Sequence, residues 1–76
     1  MQNSPFTFLE LRKEALVRLS YAKRIKPVDD ESFEAIERTT TPTELSLRIN
    51  ETIFRNGIGG NERADLNNIR EFLKEL

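Results

Sequence analysis

Apolar residues along this chain recur at spacings of three and four, and no segment alternates apolar with polar residues for long enough to make a strand. At about 100° per residue, Phe8, Leu11, Ala15, Leu19 and Ala22 fall on one stripe of a first helix, with Leu9 and Leu16 beside it. Two starts are open for this helix. Ser4 precedes Pro5, a residue suited to the first helical position. Thr7 and Glu10 have the T-x-x-E spacing of a capping box, which would set Phe6 as a hydrophobic staple against Leu11. The helix runs to about Ile25, because Pro27 disfavours a helical conformation at Lys26.

Asp29 or Asp30 can cap a short second helix over roughly 30–39, with Phe33, Ala35 and Ile36 as its apolar residues. The β-branched run Thr39-Thr40-Thr41 ends it. The third helix has the clearest start. Thr41 is an N-cap, Pro42 sits at the first helical position and Glu44 at the third, and the helix should reach Asn56. Leu66, Ile69, Leu73 and Leu76 then mark a fourth helix over roughly 61–75, with Phe72 widening the stripe and Asn61 as the expected N-cap. The expected core contains Phe8, Leu11, Ala15, Leu19, Phe33, Ile36, Leu45, Ile49, Ile53, Leu66, Ile69 and Leu73. The fold class is therefore all-α: a compact four-helix domain with a long first helix, a short second one and a closing helical hairpin, in one domain over residues 1–76.

Some apolar residues do not fit a single inward face. Val17 and Tyr21 lie nearly opposite the main stripe of the first helix. Leu47 and Phe54 share the far side of the third, away from Leu45, Ile49 and Ile53. A surface helix of a monomer normally has one apolar stripe. So small a chain has little left to cover a second one, since a domain of this size buries only about 60% of its unfolded surface. With no Cys there is no disulfide to staple the fold, and with neither Cys nor His there is no thiolate or imidazole zinc site. Oligomerisation is the remaining staple. We therefore expect a homodimer whose interface includes Val17, Tyr21, Leu47 and Phe54; scattered surface hydrophobics or a central first helix are the plainer alternatives.

Charge adds one feature. The net charge is −1, yet residues 1–28 carry six basic groups against two acidic ones, and residues 29–76 six against eleven. Arg12, Lys13, Lys23 and Arg24 project into one sector of the first helix, with Lys26 nearby. They can pair with the acidic remainder of the same chain or engage phosphates of a nucleic acid. A helix-turn-helix built from the second and third helices is a poor match, because the face its recognition helix would present has Arg48 as its single basic residue against Glu44 and Glu51, and its turn lacks a glycine.

Catalytic chemistry finds little support. The usual general base and thiol nucleophile are absent. Glu10/Glu14 and Glu71/Glu75 are spaced as solvated helix surface. Gly57-Ile58-Gly59-Gly60 fits neither a P-loop nor a dinucleotide fingerprint, because Asn61 and Glu62 follow it. It fits a helix stop, with Gly57 left-handed and Ile58 packed on Ile53. On this pattern Gly57→Val should destabilise the domain and Gly60→Ala should matter less. Free N–H groups at the start of the fourth helix could alternatively hold an anion. No apolar run spans a bilayer and no secretory leader is evident, so a cytoplasmic location is expected. The sequence thus leads to a non-enzymatic protein-interaction module without cofactor or metal: a homodimeric regulator or inhibitor whose partners are itself and a protein the sequence does not identify. A nucleic-acid-binding regulator using the first helix is the alternative.

Overall fold

A computed structural model describes residues 5–76, and among these the chain folds into four helices: α1 (Phe8–Lys23), α2 (Asp30–Glu37), α3 (Pro42–Asn56) and α4 (Gly60–Leu73). No strand occurs among them. The Cα radius of gyration is 11.5 Å, against about 11.4 Å expected for a compact chain of this length. No helix of the described residues is long and apolar enough to cross a membrane.

The helix starts follow from their caps. Thr7 closes a full capping box: its hydroxyl accepts from Glu10 N–H at 3.2 Å, and its own N–H donates to the Glu10 carboxylate at 2.9 Å. The Thr7 N–H, ahead of the Thr7 hydroxyl, holds the Glu10 carboxyl below the usual carboxylate range. Pro5 is not helical, and the alternative start at Ser4 lies outside the described residues. α1 ends two residues before the expected Ile25. Asp29 caps α2 by accepting from Ser32 N–H at 2.9 Å. Thr41 caps α3, with Pro42 at its first position. Glu44 reaches back one residue further than a capping box requires and takes the Thr40 N–H at 2.8 Å.

The α3–α4 connection departs from expectation at one point. Gly57 is left-handed (φ 61°), and the pair of bonds expected of a Schellman ending is present: Gly57 N–H to Phe54 O at 3.4 Å and Ile58 N–H to Ile53 O at 3.0 Å. Asn61, however, is not the cap of α4. The first turn closes on Gly59, whose carbonyl accepts from Arg63 N–H at 3.3 Å, and no side chain caps it. Gly60 enters at φ 62°, so it too occupies a conformation that disfavours side chains. It is a second special position, where the sequence implied only slack.

α4 packs against α1 and α3, and α2 packs against the same two helices on its own account; α1 and α3 meet only briefly. One core cluster draws on all four helices: Leu11, Ala15, Leu19 and Ala22 from α1, Ile36 from α2, Leu45, Ile49 and Ile53 from α3, and Leu66, Ile69 and Leu73 from α4. Phe8 and Phe33, expected inside, pack on its edge and are half-buried. Val28 and Ile58 join it from the connections.

Buried polar groups are satisfied. Thr39 Oγ1 donates to Ile36 O at 2.7 Å, and Ser32 Oγ donates to the Asp29 carboxylate at 2.6 Å while accepting from Asn56 Nδ2 at 2.9 Å. No buried side-chain nitrogen or oxygen among the described residues lacks a partner, as a stable interior requires.

Candidate functional site

The four apolar residues that the periodicity places off the core faces are all on the outside. Val17 is 37% exposed, Tyr21 41%, Leu47 50% and Phe54 71%. Leu9 and Ile25 are exposed as well. α1 and α3 contribute these residues because their opposite faces are already committed to the core.

The four do not line a common groove. Val17 lies in a groove between α1 and α4 of roughly 590 Å³, alongside Phe6, Leu11, Ile69 and Phe72. Phe6 was expected to staple onto Leu11. It shares this groove with Leu11, but its ring stands edge-on to Phe72, with centroids 5.0 Å apart. Leu47 lies in a second groove of similar volume, between α3 and α4, with Pro42, Leu73, Arg70 and Lys74. Tyr21 lines neither groove and is flanked by Arg18 and Arg24, whose guanidinium carbons sit 5.6 and 5.3 Å from its ring centroid. Phe54 projects from α3 outside both grooves.

The basic residues of α1 have separate fates. Arg12 is half-buried, and its Nη1 donates to Thr39 O at 2.7 Å, where α2 ends. The contact ties α1 to the connection between α2 and α3. Lys23 approaches Asp30 at 3.8 Å and lies 5.5 Å over the Phe33 ring. Lys26 donates to Gly57 O at 3.1 Å, linking the end of α1 to the α3–α4 turn. Lys13 and Arg24 are exposed, and neither meets a carboxylate among the described residues. Arg18 bridges Glu14 at 2.8 Å and Asp65 of α4 at 3.6 Å. Of the basic sector, Lys23 alone meets a carboxylate among the described residues, and Arg12 and Lys26 are spent on backbone carbonyls.

α2 and α3 are joined by a polar cluster. Asp29 accepts from Ser32 and from Arg55 Nε at 2.6 Å, and Arg55 also reaches Glu31 at 2.9 Å. The Ser32 hydroxyl, ahead of Arg55, holds the Asp29 carboxyl below its usual range; the bond to Asp29 in turn raises Arg55. Asn56 completes the cluster by accepting from Asp29 N–H at 3.2 Å. Each member has a structural partner, so this is a tie between helices.

No spacing or motif in the sequence marks Arg70. It is half-buried on α4, and its Nε and Nη1 donate to Ser46 Oγ at 3.2 Å and Asn50 Oδ1 at 3.0 Å, both on α3. Its significance depends on which α3 residues face it, a tertiary fact with no periodic signal. Taken together, these surfaces offer apolar contact with charge at the rim, which suits recognition.

No protein-family model matches the chain, and neither a curated protein nor a solved structure does.

Proposed function

We infer that this chain is a non-enzymatic interaction module, a homodimer that regulates or inhibits a macromolecular partner. The observation that carries this reading is the outward placement of Val17, Tyr21, Leu47 and Phe54 on the two longest helices. Large side chains with both apolar area and a nearby charged rim are the usual anchors of protein interfaces. Two grooves flank α4, one reached by Val17 and the other by Leu47, and they give such anchors concave surroundings.

Binding of duplex nucleic acid is the second reading, supported by the exposed Lys13 and Arg24. It is weakened by the engagement of Arg12, Lys23 and Lys26 within the fold. Two double variants separate the readings. Leu47→Asp with Phe54→Asp lowers the oligomeric mass and leaves helicity intact. Lys13→Glu with Arg24→Glu leaves the oligomer unchanged, and a fluorescence titration of wild type with duplex DNA at low and moderate salt shows no salt-dependent binding. Loss of DNA binding in the charge variant, with an oligomer indifferent to the apolar one, reverses the assignment.

A further inference from the structure

Arg70 is distinguished by the neutrality of its partners. Its three acceptors are Ser46 Oγ, Asn50 Oδ1 and, at 3.4 Å, Asn67 Oδ1. Arg18, Arg48 and Arg55 each meet a carboxylate within 3 Å, and half-buried Arg12 ends on the backbone carbonyl of Thr39. Among the described residues Arg70 pairs with no carboxylate, and its Nη2 has no acceptor. Removing a guanidinium from water is costly, and neutral acceptors offset that cost less well than a carboxylate does. The side chain is held in place by α3 while its Nη2 is left to donate.

Arg70 lines the α3–α4 groove, which also holds Lys74, Leu47 and Leu73 and has no acidic side chain in its lining. Lys74 meets Glu71 at 3.2 Å in an exposed pair three residues apart on one helix, a contact readily exchanged. The α1–α4 groove has much the same volume but is lined by Glu10, Glu14 and Asp65 as well as Lys13 and Arg18. The chain as a whole is slightly acidic, so general electrostatics does not draw an anion to it; the attraction is local to this groove.

We propose that the α3–α4 groove binds an acidic, leucine-bearing segment of a protein partner. A carboxylate of that segment accepts from Nη2 of Arg70, and a neighbouring apolar side chain lies against Leu47 and Leu73. A charge-assisted hydrogen bond from a pre-positioned guanidinium nitrogen to a carboxylate is stronger than one to a neutral acceptor. The proposal rests on the reading of Leu47 as part of an interaction surface, and the segment and a second copy of the chain compete for it.

Fluorescence anisotropy tests it with a labelled peptide in which Glu and Leu recur at helical spacing, and with analogues carrying Gln or Lys in place of Glu. Wild type binds the Glu peptide, more weakly as salt is added. The Gln analogue and the Arg70→Gln variant each bind about tenfold more weakly, the loss expected for one charged hydrogen bond. Arg70→Lys is intermediate, because it keeps the charge and loses the anchoring on Ser46 and Asn50. Circular dichroism checks that each variant is folded. If Arg70→Gln does not fold, the exposed Lys74→Gln variant and the Gln analogue decide in its place. Undiminished binding in these comparisons, equal binding of the Lys analogue, or no binding of the Glu peptide overturns the proposal. If Leu47→Asp abolishes peptide binding while Arg70→Gln and the Gln analogue do not weaken it, the apolar surface stands and the carboxylate assignment falls. Failure of the interaction reading itself shows separately, as self-association indifferent to Leu47→Asp.

Discussion

The three glycines between α3 and α4 make an internal control for the backbone argument. Gly57 has φ 61°, Gly60 has φ 62° and Gly59 is extended at φ −130°. A left-handed conformation costs a residue with a Cβ about 1–2 kcal/mol. At Gly57 the added carbon also lies 3.1 Å from Lys26 Nζ, so that side chain must withdraw, and the same Nζ donates to Gly57 O. Losing that exposed bond adds up to about 1 kcal/mol. Gly57→Ala should therefore cost about 1–3 kcal/mol, which in a domain of this size lowers the melting temperature by about 5–20 °C. Gly57→Val should cost more, being β-branched. At Gly60 the added carbon meets only Glu62 Oε2, at an ordinary 3.8 Å, so the conformational cost of about 1–2 kcal/mol stands alone. At Gly59 there is open space and no left-handed requirement, and Gly59→Ala should stay within about 0.5 kcal/mol. Thermal melts followed by far-ultraviolet circular dichroism measure the series. Equal melting temperatures for Gly57→Ala and Gly59→Ala refute the left-handed assignment.

Two further outcomes follow from the core and the polar tie. Leu66→Ala, at a fully buried position, should destabilise by about 2–5 kcal/mol in urea titrations, whereas Leu9→Ala at an exposed one should fall within about 0.5 kcal/mol. The Asp29 carboxyl is lowered in the folded chain, so its stabilising contribution is complete above its unfolded value and is lost as pH falls through the folded one. Wild type should melt at progressively lower temperature below about pH 4. Asp29→Ala should melt lower at neutral pH and show a shallower acid decline; an unchanged decline removes Asp29 from the account.

Where local chemistry decides structure, the residues are readable. The Thr7 and Thr41 caps, the Pro42 start and the Gly57 stop each depend on groups within a few residues, and each is found where the spacing puts it. The start of α4 was misread for a related reason. Asn61 is a good capping residue, but two adjacent glycines let the chain turn earlier, and propensity does not say which will carry the left-handed angle. Val28 and Ile58 escape periodicity because they lie in connections, although Ile58 was expected against Ile53 from the Schellman pattern. Phe6 turns to Phe72 because α4 is brought alongside α1, which no local rule states. The same limit applies to function. The outward residues Val17, Tyr21, Leu47 and Phe54 are legible as off-stripe positions. The inward turn of Arg12 and the neutral surroundings of Arg70 depend on which helices become neighbours.

The central claim is that the outward apolar faces of α1 and α3 are covered by a second copy of the chain. Sedimentation equilibrium of the wild-type protein at micromolar concentration tests it most directly. The account predicts a mass twice that of the 8.9 kDa chain, falling to the single-chain mass when Leu47 and Phe54 are both changed to Asp. A wild-type protein that sediments as a monomer across that range contradicts it.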